Sequence, residues 1–191
     1  MTDVKILILD GILGNHKRWE KLRVRLSESV AESIIWKYDN SGMSAPSELA
    51  KDLAGWVEAQ DSSVAFVGYS MGGIVVREAA RLLGDRKIKA AALLHCPHQG
   101  TLLGKLGQLA SLPAARELAT GSEFLNKLPN HKFPILATWC PYDLVILPGN
   151  SASMACEQNL RVNIPAHNAP VWAEVVHRAV EKFLHRHIQS T

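Results

Sequence analysis

The plainest chemical signal lies at Val64-Ala-Phe-Val-Gly68-Tyr69-Ser70-Met71-Gly72-Gly73, where glycines stand two positions before and two positions after a serine. An apolar run of strand character precedes Ser70 and a run of helical period follows it. That context separates a nucleophile elbow from an ordinary Gly/Ser turn at a strand end. On a tight strand-to-helix turn the serine takes strained backbone angles, and Gly68 and Gly72 let strand and helix approach without Cβ clashes. The following helix directs its first amides at the serine, which favours negative charge developing on a substrate oxygen. The chemistry on offer is nucleophilic attack by the Ser70 hydroxyl.

Other reactive side chains carry weaker signals. Cys96, Cys140 and Cys156 are odd in number and lack CxxC spacing, so neither a disulfide framework nor a zinc knuckle is indicated, and they read as thiols in or near the core. The eight histidines show no i, i+4 pairing beside a carboxylate, and no metal is expected. The 21 Lys+Arg balance 18 Asp+Glu to a net charge of +3 with no dense basic run, which makes nucleic acid a poor partner. The tryptophans Trp19, Trp36, Trp56, Trp139 and Trp172 read as packing residues rather than ligand stackers.

Ser70 needs a framework, and the chain has the pattern for one. With 191 residues, 47% of them hydrophobic and 20% charged, it reads as one globular domain able to bury a core without staples. Apolar runs of strand length, Lys5 to Leu9, Ser33 to Tyr38, Ser63 to Tyr69, Ile88 to His95, Phe133 to Cys140 and Leu160 to Ile164, alternate with helical periods. The pattern predicts an α/β fold with a mainly parallel six-stranded sheet covered by helices on both faces. Leu49, Leu53, Trp56 and Val57 mark a helix after Ser44 and Pro46, and Trp19, Leu22 and Leu26 a shorter one. Ile74, Val75 and Ala79 mark another behind Ser70. Trp172, Val175, Val176, Ala179, Val180, Phe183 and Leu184 form a closing helix after Pro170.

The 37 residues from Cys96 to Lys132 exceed what one connecting helix requires. Within them, Leu102, Leu103, Leu106, Leu109 and Leu112 fall at helical spacing and read either as a core helix or as a small apolar lid. Ser122 reads as the cap of a second short helix. No run of residues matches a membrane span, and the acid-flanked start lacks a cationic leader. The expectation is a cytoplasmic protein without stable membrane anchoring.

The chain resembles the α/β-hydrolase family, most closely its small lipases and esterases without a large cap domain. The resemblance spans nearly the whole chain. It rests on Ile6-Leu-Ile-Leu-Asp10-Gly11-Ile12-Leu13-Gly14, the elbow at Ser70, the turn Pro97-His98-Gln99-Gly100-Thr101, Asp143 and His167. It implies a minimal α/β-hydrolase fold over residues 1–191, with 97–132 as a candidate lid segment, and a triad in the order serine, acid, histidine. A serine hydroxyl needs a base to take its proton and a carboxylate to orient that base. His167, past the last strand run, fits the base. His177, His185 and His187 lie on or beyond the closing helix, while His16, His95, His98 and His131 precede Asp143. Asp143, flanked by apolar residues, fits the acid, with Glu174 or Asp39 as substitutes. The amides of Ile12 and Met71 are the oxyanion donors the resemblance implies. The family opening is His-Gly, whereas this chain has Asp10-Gly11.

The resemblance implies, without a cofactor, a serine hydrolase that cleaves carboxylic esters of short to medium acyl chains, with a small-molecule acyl ester as its partner. A thioesterase, an amidase or a carbon-carbon lyase on the same fold is the alternative, as is an inactive binding scaffold, which Asp10 keeps open.

Overall fold

The computed structural model describes residues 4–109 and 111–189. Six strands, β1 (Val4–Leu9), β2 (Ser33–Trp36), β3 (Ser63–Tyr69), β4 (Ile88–Leu94), β5 (Ile135–Trp139) and β6 (Gln158–Arg161), form one sheet in the order β2-β1-β3-β4-β5-β6. Every neighbouring pair is parallel. Parallel neighbours require crossovers, which here carry α1 (Glu20–Ser29), α2 (Pro46–Glu58), α3 (Met71–Leu83) and a three-helix passage of α4 (Leu102–Leu109), α5 (Pro113–Leu118) and α6 (Glu123–Asn126). A short α7 (Ala169–Trp172) and the long α8 (Glu174–Gln189) end the described chain.

The side-chain period of two divides each central strand between two cores. Leu7, Leu9, Phe66, Ala91 and Leu93 pack with α2 and α3, and Ile6, Ile8, Val67, Ala92 and Leu94 pack with α1 and α8. Burial on both faces explains why β1, β3 and β4 are dominated by apolar residues, with Lys5 and Lys89 near the strand starts.

Two expectations need correction. The sixth strand run was placed at Leu160 to Ile164, but the ladder covers Gln158–Arg161. β6 is an edge strand whose alternate side chains are exposed, so the apolar run marks the turn after it. There Val162 is buried, and the Ile164 carbonyl accepts from the Cys140 thiol at 3.1 Å. The closing helix breaks at Ala173, whose extended backbone separates α7 from α8. The break resets the helical phase, leaving Trp172 and Val175 exposed while Val176, Val180, Phe183, Leu184 and Ile188 form the inward face.

Of the two readings open for α4, a core helix does not fit Leu102, Leu103 and Leu106, which are exposed, Leu106 at 63%; the Leu109 side chain lies outside the described residues. The close-packed face of this helix belongs to its glycines instead. A Cβ on Gly104 would come within 2.7 Å of the Ala119 Cα, and one on Gly107 within 2.5 Å of the Ala115 Cβ. Among the described residues no helix is long and apolar enough to cross a membrane.

Candidate active site

The carboxyl ends of parallel strands lie along one edge of a sheet, so the loops after β1, β3, β4, β5 and β6 meet there. Ser70 follows β3 as the residue before α3, with φ 53° and ψ −123°. A left-handed φ on serine costs about 1–3 kcal/mol and persists only where the surroundings fix it. Two close approaches fix it. A Cβ on Gly68 would lie 2.8 Å from the Gly73 nitrogen, and one on Gly72 would lie 2.7 Å from the Leu9 carbonyl oxygen. Gly68 therefore admits the start of α3 against its own strand, whereas Gly72 admits it against the end of β1.

Asp143 and His167 reach the same place from β5 and β6. His167 Nε2 lies 3.1 Å from Ser70 Oγ, and His167 Nδ1 lies 2.8 Å from Asp143 Oδ2. Asp143 Oδ1 accepts the N–H groups of Val145 at 2.8 Å and Ile146 at 2.9 Å. Since the carboxylate can only accept, Nδ1 carries the proton and Nε2 presents a lone pair to the serine hydroxyl. Beside this chain of bonds opens a cavity of about 380 Å³. Ile12, Leu103, Leu112, Leu118, Val145 and Ile146 supply its apolar wall, and Ser70 and His167 are exposed to it.

No protein-family model and no curated protein matches this sequence. Solved structures do match. The lipase BlEst2 of Bacillus licheniformis, in mature form, is similar with a TM-score of 0.69 at 18% identity, covering 95% of this chain and 91% of that one. YbtT, a type II thioesterase from the yersiniabactin NRPS/PKS biosynthetic pathway, is similar with a TM-score of 0.64 at 15% identity, covering 98% and 93%. Phospholipase PlaB from Legionella pneumophila is similar with a TM-score of 0.60 at 14% identity, covering 71% of this chain but 38% of that one. The fold is the α/β-hydrolase fold.

Within this α/β-hydrolase scaffold the surroundings set the charge of each group. Burial alone would push the Asp143 carboxyl up, but the His167 and His95 rings and the Ile146 N–H hold it below the usual aspartate range. His95, at the end of β4, is wholly buried, and its Nδ1 stands 3.4 Å from Asp143 Oδ2 without hydrogen-bond alignment. Burial also keeps the His98 imidazole neutral by lowering its pKa well below the ordinary value, with the Arg77 charge adding to the effect. Among the described residues, His95, Asp143 and His167 offer ligand atoms within 4.8 Å of one another. Two of the three are already bonded to each other, an arrangement that suits a hydrogen-bonded relay.

Each elbow, acid, base and loop residue singled out from the sequence lies at this edge. Glu174 and Asp39 do not: Glu174 pairs with Arg25, Lys21 and Arg178, and Asp39 accepts from Ser44 and Ser41. Cys96 and Cys140 are buried, Cys156 is partly buried, and all three are free thiols.

Three contributors escaped the sequence reading. Thr101 ties the start of α4 to the segment after Asp143, Tyr69 donates its hydroxyl to the His167 carbonyl at 3.2 Å, and Arg18 lines the cavity from the turn before α1. Thr101 and Tyr69 lay inside recognised motifs, which was a usable signal. Arg18 had none.

Proposed function

We propose that the chain is a serine hydrolase that cleaves carboxylic esters of short to medium acyl chains, with Ser70 as nucleophile, His167 as base and Asp143 as orienting acid. One observation carries this reading: the hydrogen-bonded series Ser70–His167–Asp143, with separations of 3.1 and 2.8 Å, opens directly onto an apolar cavity.

His167 Nε2 takes the Ser70 proton as Oγ attacks the ester carbonyl, and Asp143 stabilises the imidazolium that forms. The oxyanion develops between the N–H groups of Met71 and Ile12, which among the described residues have no partner within the protein. His167 returns the proton to the departing alkoxide, leaving an acyl group on Ser70 and free alcohol. A water activated by His167 then attacks the acyl carbonyl, giving the acid and restoring the serine.

The apolar wall supports burial of an acyl chain at about 0.8 kcal/mol per methylene. The exposed leucines of α4 support a site that is shaded without being sealed. A series of p-nitrophenyl esters tests the reading, with kcat/KM peaking at about C4 to C8 as the gain per methylene ends with the cavity. No sharp rise in rate is expected at a lipid interface. A steady rise through C16, or activity confined to concentrations above micelle formation, would contradict it.

The structural likeness to a thioesterase over 98% of the chain favours a second reading, in which the leaving group is a thiol. An acyl thioester of matched chain length, assayed beside the ester and an anilide, decides between them by the ratio of kcat/KM values.

A further inference from the structure

We propose that the ion pair between the buried Asp10 and the part-exposed Arg18 is the positioning element of the oxyanion loop, holding the Ile12 N–H where the transition-state oxygen forms. The inference rests on the reading of Ser70 as nucleophile and adds two positioning residues to it.

The loop after β1 is tied by a set of hydrogen bonds. Asp10 Oδ1 accepts the Gly11 N–H at 2.7 Å, the Leu13 N–H donates to the Asn40 carbonyl at 2.8 Å, and the Gly14 N–H donates to the Gly11 carbonyl at 3.2 Å. Asn40 Nδ2 donates to the carbonyls of Gly11 at 2.8 Å and Gly14 at 3.0 Å, and the Tyr38 hydroxyl donates to the Asp10 carbonyl. Across residues 11–14, Ile12 is the one whose N–H is left without a partner among the described residues. Leu13 is held at a left-handed φ of 54°, a conformation that a free loop would leave. The loop also abuts the nucleophile, since a Cβ on Gly11 would come within 2.8 Å of the Ser70 Cβ.

Asp10 is the centre of this arrangement, and it is wholly buried. A buried carboxylate is stable only with a countercharge and further donors. Arg18 Nε donates to Oδ1 at 3.2 Å and to Oδ2 at 3.0 Å, and Nη2 donates to Oδ1. Gly14 makes room for the pair, as any Cβ there would overlap the Asp10 carboxyl.

The other face of the guanidinium lies over the Tyr69 ring, 5.1 Å from its centroid. Tyr69 in turn packs against the His167 ring at 5.2 Å and bonds the His167 carbonyl. Arg18 thus joins the oxyanion loop to the serine's own strand and to the base. Asp10, with the Arg18 guanidinium, braces the Asp-Gly opening of this loop. A lysine could neutralise Asp10, but a point charge cannot reproduce the side-on fork.

The test compares Arg18→Met, Arg18→Lys and the double variant Asp10→Asn/Arg18→Met, which leaves no buried charge. Three quantities are read: the rate of Ser70 labelling by a fluorophosphonate, the Ki of a trifluoromethyl ketone, and kcat and KM for a short-chain ester. Loss of an oxyanion donor outright costs about 10²–10³ in kcat, and a donor left present but loose should cost about 10- to 100-fold. The expected result is that loss in kcat and in labelling rate for the Met and double variants, with KM nearly unchanged. The ketone Ki should rise in proportion, and Arg18→Lys should fall between these variants and the wild type. A role confined to stability would lower the melting temperature without moving the ketone Ki.

Labelling of the double variant at the wild-type rate would overturn the inference alone. Absence of labelling in the wild type would overturn the nucleophile reading, and the inference with it.

Discussion

Thr101 and Val145 are joined across the site, with the Thr101 hydroxyl donating to the Val145 carbonyl at 2.7 Å. The same oxygen accepts the N–H groups of Leu147 at 3.1 Å and Leu103 at 3.3 Å. Val145 and Ile146 are also the residues whose N–H groups hold Asp143 Oδ1, so the first residues of α4 and the acid loop share one anchor.

Thr101→Val keeps the shape and removes that anchor. It leaves the part-buried Val145 carbonyl and the N–H groups of Leu147 and Leu103 without that partner, at a cost of about 1 kcal/mol of stability. We expect kcat to fall about tenfold, equivalent to 1.4 kcal/mol, with Thr101→Ser restoring most of it. A variant that loses stability but keeps full kcat would show that Thr101 braces the fold without positioning Asp143.

The three central side chains should behave as one unit. Ser70→Ala should abolish turnover with the fold intact, because it removes a single exposed oxygen. By the precedent of serine triads, His167→Ala should cost about 10⁴-fold or more in kcat, and Asp143→Asn a similar or smaller factor. The double variant should be no worse than about the poorer single one. If its loss equalled the product of the two single losses, the residues would be acting independently.

The buried histidines set an acid limit on stability. His98 is neutral in the fold, with its pKa depressed below the ordinary 6.5 chiefly by burial, and both of its ring nitrogens lack partners among the described residues. Below pH 6.5 the unfolded chain takes up a proton that folded His98 does not, so stability is present above that pH and falls as pH drops through it. The slope from one such group is at most about 1.4 kcal/mol per pH unit. His131 and His177 contribute in the same direction. Denaturant melts from pH 7 to 5 should show His98→Leu losing less stability than the wild type. Parallel losses in both proteins would mean that His98 is protonated in the fold.

The candidate residues could be picked out because each lies in the loop past a strand: Ser70 adjoins β3, while Asp143 and His167 stand a few residues beyond β5 and β6. A parallel sheet brings those loops to one edge whatever their separation in the chain. Arg18 was not legible, because its meaning comes from a carboxylate eight residues earlier across a folded loop, and no periodicity encodes that pairing. The outward turn of Leu102, Leu103 and Leu106 on α4 was not legible for a related reason. Their spacing is helical, but close packing against α5 selected the glycine face and turned them outward. The closing helix failed at Ala173, where a break invisible to composition shifted the phase of Trp172 relative to Phe183.

The central claim is that Ser70 Oγ becomes acylated. Rapid mixing of the wild type with p-nitrophenyl butyrate, followed by acid quench and intact-mass analysis, tests it directly. The account predicts a mass increase of one butyryl group per chain, mapped to the peptide containing Ser70 and absent in Ser70→Ala. Turnover by Ser70→Ala above about a tenth of the wild-type rate, or a butyryl group mapped to any other residue, would contradict it.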